Sequence, residues 1–469
     1  MHGTLGRQHL RLDGVAPVRW NLCEQTDCAS LLHRPDSSAK HLPRVVVVGA
    51  GFAGLEVGKR LRHAPAQLTV IDRQNYMLFQ PLLYQVATAA LSPADIAAPI
   101  RSLISGNNTT VLLDEVVGVE AERSVVQTAG GREVPFEFLV IATGSQYNYF
   151  GNEEWAAFAP SPKSLDDALE IRRRVLLAFE AAEMCDDTRE QRALLTIVII
   201  GAGATGTEIA GAIAEMARST LVPDFQHINP ASARIILMEA GPRILSGFAP
   251  KLGTYAQNAL AKLGVEVRVN SKIDRVDGDG VVVQGERIEA RVVIWAAGVK
   301  ATPAAAWLKV GANSHGMVQV NADFSLPGYS NIFVIGDAAL VRTADRTPLP
   351  GLAAVAKQEG AYVGTLIRSR ISGEPQPAAF RYRDYGTMAT IGRSSAVADL
   401  RGFKFKGVLA WLLWGIVHLY FLVGFRNRLF VLMSWFWSWL TYKRGARLIT
   451  GQRSGPPSHE RAHAPRKLS

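Results

Sequence analysis

Residues 45–72 read VVVVGAGFAGLEVGKRLRHAPAQLTVID. Four successive valines suit a strand buried on both faces, as in a parallel sheet. Gly49, Gly51 and Gly54 follow in G-x-G-x-x-G spacing. In that pattern the first glycine permits a tight strand-to-helix turn, the second lets a pyrophosphate approach the backbone, and the third lets the helix pack close. The helix start offers free N–H groups and a positive dipole end to the phosphate. Residues 68–71 predict the next strand, and Asp72 ends it where a ribose hydroxyl needs an acceptor. A glycine-rich helix cap alone would leave Asp72 without a purpose. The stretch predicts a dinucleotide-binding βαβ unit.

The same order recurs. Residues 194–200 predict a second apolar strand, followed by Gly201, Gly203 and Gly206 in GAGATG, and residues 235–238 predict a strand ending in Glu239. The gap from Gly206 to Glu239 exceeds the usual spacing of about 20 residues. An insertion is therefore expected at 219–233, where Pro223 and Pro230 lie. An acid at this strand end bonds a ribose 2′-hydroxyl and repels a 2′-phosphate, which favours NADH over NADPH. Arg243 is the nearby cation that could reverse that preference. Closing strands are predicted at 138–142, FLVIA before Thr143-Gly144, and at 292–298, VVIWAAG. The fold expected is α/β, with two Rossmann-like dinucleotide-binding domains.

Other stretches are less decisive alone. FQPLLY at 79–84 could line a ring-binding pocket or cover the sheet as a loop. Residues 111–117 and 125–127 predict short strands, and 164–184 a helical connector. NIFVIGDAA at 331–339 predicts a strand ending in Gly336-Asp337, where the acid caps a helix or binds a polyol or phosphate. PGLAAVAKQEGAYVG at 350–364 spaces small residues for close packing, with Gln358 and Glu359 its notable polar members.

With 469 residues, 48% apolar and 20% charged, the chain predicts two or three globular domains with something greasier attached. Net charge is +10. Residues 401–469 hold twelve Lys or Arg and one acid, so the rest of the chain sums to −1. A near-neutral body argues against nucleic acid, and the basic residues flank apolar runs, which favours anionic lipid headgroups. Residues 407–425 and 429–442 contain no Asp, Glu, Lys or Arg. Trp411, Trp414, Trp435, Trp437 and Trp439 lie in them, bracketed by Lys404, Lys406, Arg426, Arg428, Lys443 and Arg444. Aromatics flanked by cations suit an interfacial, monotopic anchor. The first run is also a spanning candidate by length. In the second run, Ser434, Ser438 and Thr441 make a weak polar stripe. His418, the titratable residue of the first run, is either a proton or hydrogen-bond partner or a histidine facing headgroups. Cys23, Cys28 and Cys185 form no disulfide framework or zinc spacing, as in a reducing compartment. Residues 1–43 lack the apolar core of a secretory signal.

Together these residues resemble the type II NADH dehydrogenases (NADH:quinone oxidoreductases) of the two-dinucleotide-binding-domain flavoprotein superfamily. FQPLLYQVAT, GAGATGTE, FVIGDAA, AKQEG, VHLYFLVGFRNRL and KRGARLI carry the likeness over residues 44–450. The resemblance implies FAD on the first fingerprint (Gly49, Gly51, Gly54, Asp72), with Gln80 near the isoalloxazine and Gly144, Gly336 and Asp337 along the flavin. It implies NADH on the second (Gly201, Gly203, Gly206, Glu239). Glu208 matches a family glutamate between nicotinamide, flavin and quinone, although alone it reads as a carboxylate complementing a helix dipole. Gln358 and Glu359 match a quinone-pocket motif. The implied domains are a disordered leader at 1–43, an FAD domain at 44–160 and 301–373, and an inserted NADH domain at 161–300. A membrane-associated helical region at 374–450 and a disordered basic tail at 451–469 follow.

The implied activity is hydride transfer from NADH to FAD and two-electron transfer to a membrane quinone. Without a bundle of membrane helices, no proton pumping is expected. The body would face the cytoplasm at the inner face of the cell membrane. A homodimer is one assembly open to the chain. Disulfide-reductase relatives need a cysteine pair just after the first fingerprint, and no cysteine lies between Gly54 and Cys185. A ferredoxin-reductase-like flavoprotein leaves the apolar tail unexplained. A flavin-bearing redox sensor or scaffold with poor turnover leaves Glu208 and AKQEG unexplained.

Overall fold

In a computed structural model describing residues 41–342, 348–441 and 444–451, the fingerprint strand Arg44–Val48 lies inside a five-stranded parallel sheet. The leader and basic tail lie almost wholly outside the described residues, as do Cys23 and Cys28. From one edge the sheet runs Ile332–Val334, Phe138–Ile141, Arg44–Val48, Gln67–Asp72, Thr109–Leu113. A second, four-stranded parallel sheet runs Val292–Trp295, Thr196–Ile200, Arg234–Met238, Val265–Arg268. In both, the closing strand, the fingerprint strand and the acid-bearing strand are consecutive neighbours. Val45 to Val48 and Ile197 to Ile200 are all buried, as strands covered on both faces require.

The repetition goes beyond the fingerprints. Each unit carries a three-stranded antiparallel sheet between its acid strand and closing strand. In the first it is Val116–Glu120, Val125–Thr128 and Glu133–Pro135; in the second, Ile273–Asp277, Gly280–Val283 and Glu286–Glu289. The stretch 111–117 is thus divided between two sheets. The strand Ile332–Val334 returns the chain to the first sheet beside Phe138–Ile141. Helix Ala353–Ser372 then packs on the first fingerprint helix, Phe52–Leu61, at small residues. A Cβ at Gly360 would lie 2.2 Å from the Ala53 carbonyl oxygen, so only glycine permits this approach.

The expected loop at 79–84 is mostly helical, with a 3-10 turn Gln80–Leu82 running into helix Leu83–Ala87. Connector helix Leu165–Glu183 starts at a Ser164/Asp167 capping box and buries Ala168, Ile171, Val175 and Phe179. The insertion at 219–233 comprises tight turns after helix Ala204–Glu215.

The C-terminal part is not helical throughout. An antiparallel sheet, Thr387–Thr390, Ala396–Leu400 and Phe403–Gly407, precedes the two helices. The nineteen-residue apolar run is cut at Leu422–Gly424, where Leu422 is extended and Gly424 has φ +89°. Helices Val408–Phe421 (14 residues) and Phe425–Thr441 (17 residues) result. At 1.5 Å per residue the first reaches only about 21 Å, against a hydrocarbon core of about 30 Å. Among the described residues no helix is long and apolar enough to cross a membrane, which removes the spanning alternative for this run.

Each C-terminal helix turns one stripe inward and leaves apolar side chains outside. Ala410 and Trp414 are buried on the first, while Leu409, Leu412, Ile416 and Tyr420 are exposed. Asn427 and Val431 are buried on the second, with Trp435 half-buried at the same spacing, while Leu432, Met433, Phe436, Trp437, Trp439 and Leu440 are exposed. The Ser434 and Ser438 side of this helix is half-buried, so the outermost face is apolar. The inner face sits on the FQPLLYQVAT region. Trp435 Nε1 donates to Gln85 Oε1 at 2.7 Å, and Asn427 Nδ2 to the Ala97 carbonyl at 3.3 Å.

Candidate active site

The two fingerprints fold alike. Gly49 has φ +93° and a Cβ there would meet the Ala142 carbonyl oxygen at 2.5 Å; Gly201 has φ +97° and its Cβ would meet Ala297 Cα at 2.5 Å. A Cβ at Gly54 would lie 1.8 Å from the Gly49 oxygen, and one at Gly206 1.9 Å from the Gly201 oxygen. At Gly51 and Gly203 a Cβ would meet nothing within 4 Å. These two are N-caps with no side-chain cap, so no capping side chain takes up the first helical N–H groups. Residues thus arranged fit a pyrophosphate at each helix start.

The strand-end acids behave alike too. Asp72 accepts from Ala50 N–H at 2.6 Å and Gln74 N–H at 2.8 Å. Glu239 accepts from Ala202 N–H at 2.9 Å and Gly241 N–H at 2.8 Å. Each carboxylate fixes its glycine loop and retains lone pairs for a ribose. Burial pushes the Asp72 carboxyl up, opposed by these backbone donors. Arg243 spends its guanidinium on the Phe248 and Ser246 carbonyls, at 2.8 and 2.5 Å.

Beside the first fingerprint lies a polar row. Lys163 Nζ donates to Ser145 Oγ at 2.9 Å, and Ser145 Oγ donates to Asp337 Oδ2 at 2.6 Å. Gln80 Nε2 donates to the Lys163 carbonyl at 3.2 Å. Gly144, with φ +70°, leaves open space above it. Burial lowers the Lys163 ammonium pKa, and Asp337 opposes that shift. Glu359 is buried and accepts from Gly336 N–H at 2.5 Å; burial pushes its carboxyl up to about 8. Gly336, Asp337, Glu359, Ser145, Lys163 and Gln80 therefore form one group. Gln358 points elsewhere, its amide clasping the Arg383 backbone at 2.9 Å through both Nε2 and Oε1.

Glu208 sits in the first turns of helix Ala204–Glu215, buried, with Thr390 N–H 3.3 Å from its Oε1. Burial pushes it up to about 8, so near neutral pH it is mainly the uncharged acid. Tyr84 OH lies 2.9 Å from Thr390 Oγ1. His418 stands edge-on to Phe79 at 6.3 Å and stacks on Trp414 at 4.2 Å. Its Nδ1 lies 2.7 Å from the Trp414 carbonyl, which can only accept, so Nδ1 carries the hydrogen and Nε2 is the acceptor. Burial pushes the imidazole down to about 4. Phe79 in turn meets Phe52, beside Gly51, at 6.0 Å. An aromatic row thus joins the first fingerprint to the C-terminal helices.

Residues 43–360 match the family model for pyridine nucleotide-disulphide oxidoreductases, and residues 385–443 match that for the NDH2 C-terminal domain. The chain is 40% identical to the type II NADH:quinone oxidoreductase Ndh of Mycobacterium tuberculosis, over 90% of this chain and 93% of that one. The chain belongs to the type II NADH:quinone oxidoreductases. A second such protein of that organism, NdhA, is 42% identical over 87% of this chain and 90% of its own length. In fold, the chain is similar to the structure of NDH2 from Plasmodium falciparum in complex with NADH. The TM-score is 0.78 at 19% identity, covering 88% of this chain and all of that one.

Some residues that the fold brings beside these groups have no local signature. Lys163 lies in an otherwise unmarked PSPKSL stretch, and Thr390 in a strand reached only through the chain's return. Arg444 was legible only as part of KRGARLI; it is buried, donates to the Thr88 carbonyl at 2.8 Å and lies 3.6 Å from Glu215.

Proposed function

We propose that this oxidoreductase holds FAD on the Gly49–Gly51–Gly54 unit and NADH on the Gly201–Gly203–Gly206 unit, and reduces a quinone drawn from the membrane. The duplicated cradle, open at Gly51 and Gly203, carries this reading. A bound flavin supplies a hydride acceptor for nicotinamide and a two-electron donor for quinone. The chain's own part is placement. Asp72 and Glu239 orient the two riboses, and Asp337, held by Ser145 and Lys163, is set to bond a ribityl hydroxyl. Glu208 keeps a proton near neutral pH in a dry site, and His418 Nε2 can accept from a quinol hydroxyl. Gln358 and Glu359, the pair matched to the quinone-pocket motif, hold the Arg383 backbone and the Gly336 turn respectively. Anaerobic mixing tests the path. NADH should bleach the flavin absorbance and a quinone should restore it; bleached protein that quinone leaves unchanged would end the quinone assignment.

Glu239 and the committed Arg243 support NADH as donor. At equal concentration NADH should be oxidised at least about tenfold faster than NADPH, as a like-charge clash of about 1.4 kcal/mol requires. Glu239→Gln should narrow that ratio. A wild-type preference for NADPH would refute the assignment.

The exposed faces of helices Val408–Phe421 and Phe425–Thr441 support monotopic attachment to a membrane surface. Burying each large apolar side chain stabilises by about 1.5–3 kcal/mol. Replacing Leu432, Phe436 and Trp439 together with serine should therefore weaken binding to anionic vesicles at least about 100-fold. Co-sedimentation with vesicles measures it, and unchanged binding would place the anchor elsewhere.

A further inference from the structure

We propose that the Tyr84 hydroxyl is a positioning group for Glu208, oriented from the membrane-facing helix Phe425–Thr441 through Gln85 and Trp435. The proposal rests on the role given to Glu208 above.

The direction of the chain follows from its first member. An indole N–H only donates, so Trp435 Nε1, 2.7 Å from Gln85 Oε1, fixes which way the Gln85 amide faces. Gln85 Nε2 then donates to Tyr84 OH at 2.9 Å. With its oxygen accepting, the phenol directs its own hydrogen to Thr390 Oγ1, 2.9 Å away. Thr390 is the residue whose backbone N–H faces Glu208 Oε1 at 3.3 Å. Gln85, Tyr84, Thr390 and Glu208 are all buried, so water does not substitute for a missing link. The side-chain sequence thus runs from a half-buried indole to the Thr390 hydroxyl, and the backbone N–H of the residue so held is the one that faces the buried carboxyl.

The charges around this chain are few. Glu208's own helix carries Glu215, whose Oε1 accepts from Arg393 N–H at 2.7 Å, and Arg444 of the C-terminal segment lies 3.6 Å from its Oε2. Arg444 thus pairs with Glu215 near Tyr84, and Arg393 adds a second positive charge beside that carboxyl. Burial and the nearness of Glu208 hold the Tyr84 phenol above its ordinary range, so it stays protonated as the donor sequence requires. Oriented donors favour the ionised carboxylate, so removing them should move the Glu208 midpoint upward.

The test is the pH dependence of NADH:quinone turnover by flavin-loaded, full-length protein on anionic vesicles. Tyr84→Phe should raise the midpoint by up to about 0.5–1 unit, because losing the bond that holds the Thr390 side chain loosens the one recorded donor to Glu208. Trp435→Phe should shift it in the same direction by less, and the double variant no further than Tyr84→Phe alone, because both break one chain. Glu208→Gln should remove the midpoint altogether. A Glu208→Gln profile like wild type would overturn the role of Glu208 itself. If Glu208→Gln removes the midpoint while Tyr84→Phe and Trp435→Phe superimpose on wild type, the positioning role is overturned. Should Tyr84→Phe fail to retain flavin, the Trp435→Phe profile decides by the same criterion.

Discussion

Replacing Gly54 with alanine is expected to yield protein without bound flavin and without NADH oxidation. The added Cβ would stand 1.8 Å from the Gly49 carbonyl oxygen and 2.9 Å from its carbon. Both are backbone atoms of the turn itself, so no side-chain rotation relieves the clash. The helix must back away, at an overpacking cost of about 1–3 kcal/mol or more. As it does, its first N–H groups leave the pyrophosphate position. Gly51→Ala is the informative contrast. Its Cβ meets no protein atom, so that variant should unfold at the wild-type temperature and lose flavin affinity only. Flavin absorbance per chain and a thermal melt measure both effects. A Gly54→Ala protein with a full complement of flavin would show that the turn is not the flavin seat.

Glu208→Gln should lower quinone-dependent turnover by about 100-fold or more, the usual range for loss of a positioned acid or base. Flavin content and NADH affinity should persist, because glutamine retains an Oε1 for Thr390 N–H. Burial holds the Glu208 carboxyl at about 8 against an ordinary value of 4.5. Below that midpoint the group is neutral and can donate; above it the group is an anion. Wild-type turnover should therefore change near pH 8 and the variant's should not. The stability effect has a definite sign. A folded-state pKa above the unfolded one contributes stability that is fully present below 4.5 and is lost as pH rises through about 8. The variant's Tm should accordingly fall less than wild type's between weakly acidic and alkaline pH. Stopped turnover with loss of flavin would point to a structural role instead.

What the sequence made legible was what depends on near neighbours. The glycine spacing, the buried strands before it and the acids at strand ends are local requirements of one turn, so they could be read twice over. The strand ending in Gly336-Asp337 was legible for the same reason. The hydrogen-bonded rows were not. Tyr84 and Thr390 are 306 residues apart, and Gln85 and Trp435 are 350 apart. No period or spacing links them until the C-terminal helices fold back on residues 79–97. Gln358 was read as a pocket residue from its motif alone; that its amide also clasps the Arg383 backbone, 25 residues on, has no local signal. The C-terminal runs misled in a different way. Hydropathy saw one continuous apolar stretch at 407–425, whereas extended Leu422 and Gly424 end its helix at Phe421. Gly424 was the available signal. The weak polar stripe of Ser434 and Ser438 is half-buried, and the exposed face is the apolar one, as an element meant to meet something other than water would show.

The most direct measurement is steady-state NADH consumption by the flavin-loaded, full-length protein on anionic vesicles containing a quinone. Sustained turnover is expected, with one quinone reduced for each NADH oxidised and little rate when quinone is omitted. Turnover near zero, with flavin and NADH still bound, would contradict it and leave a redox sensor or scaffold in place of an enzyme.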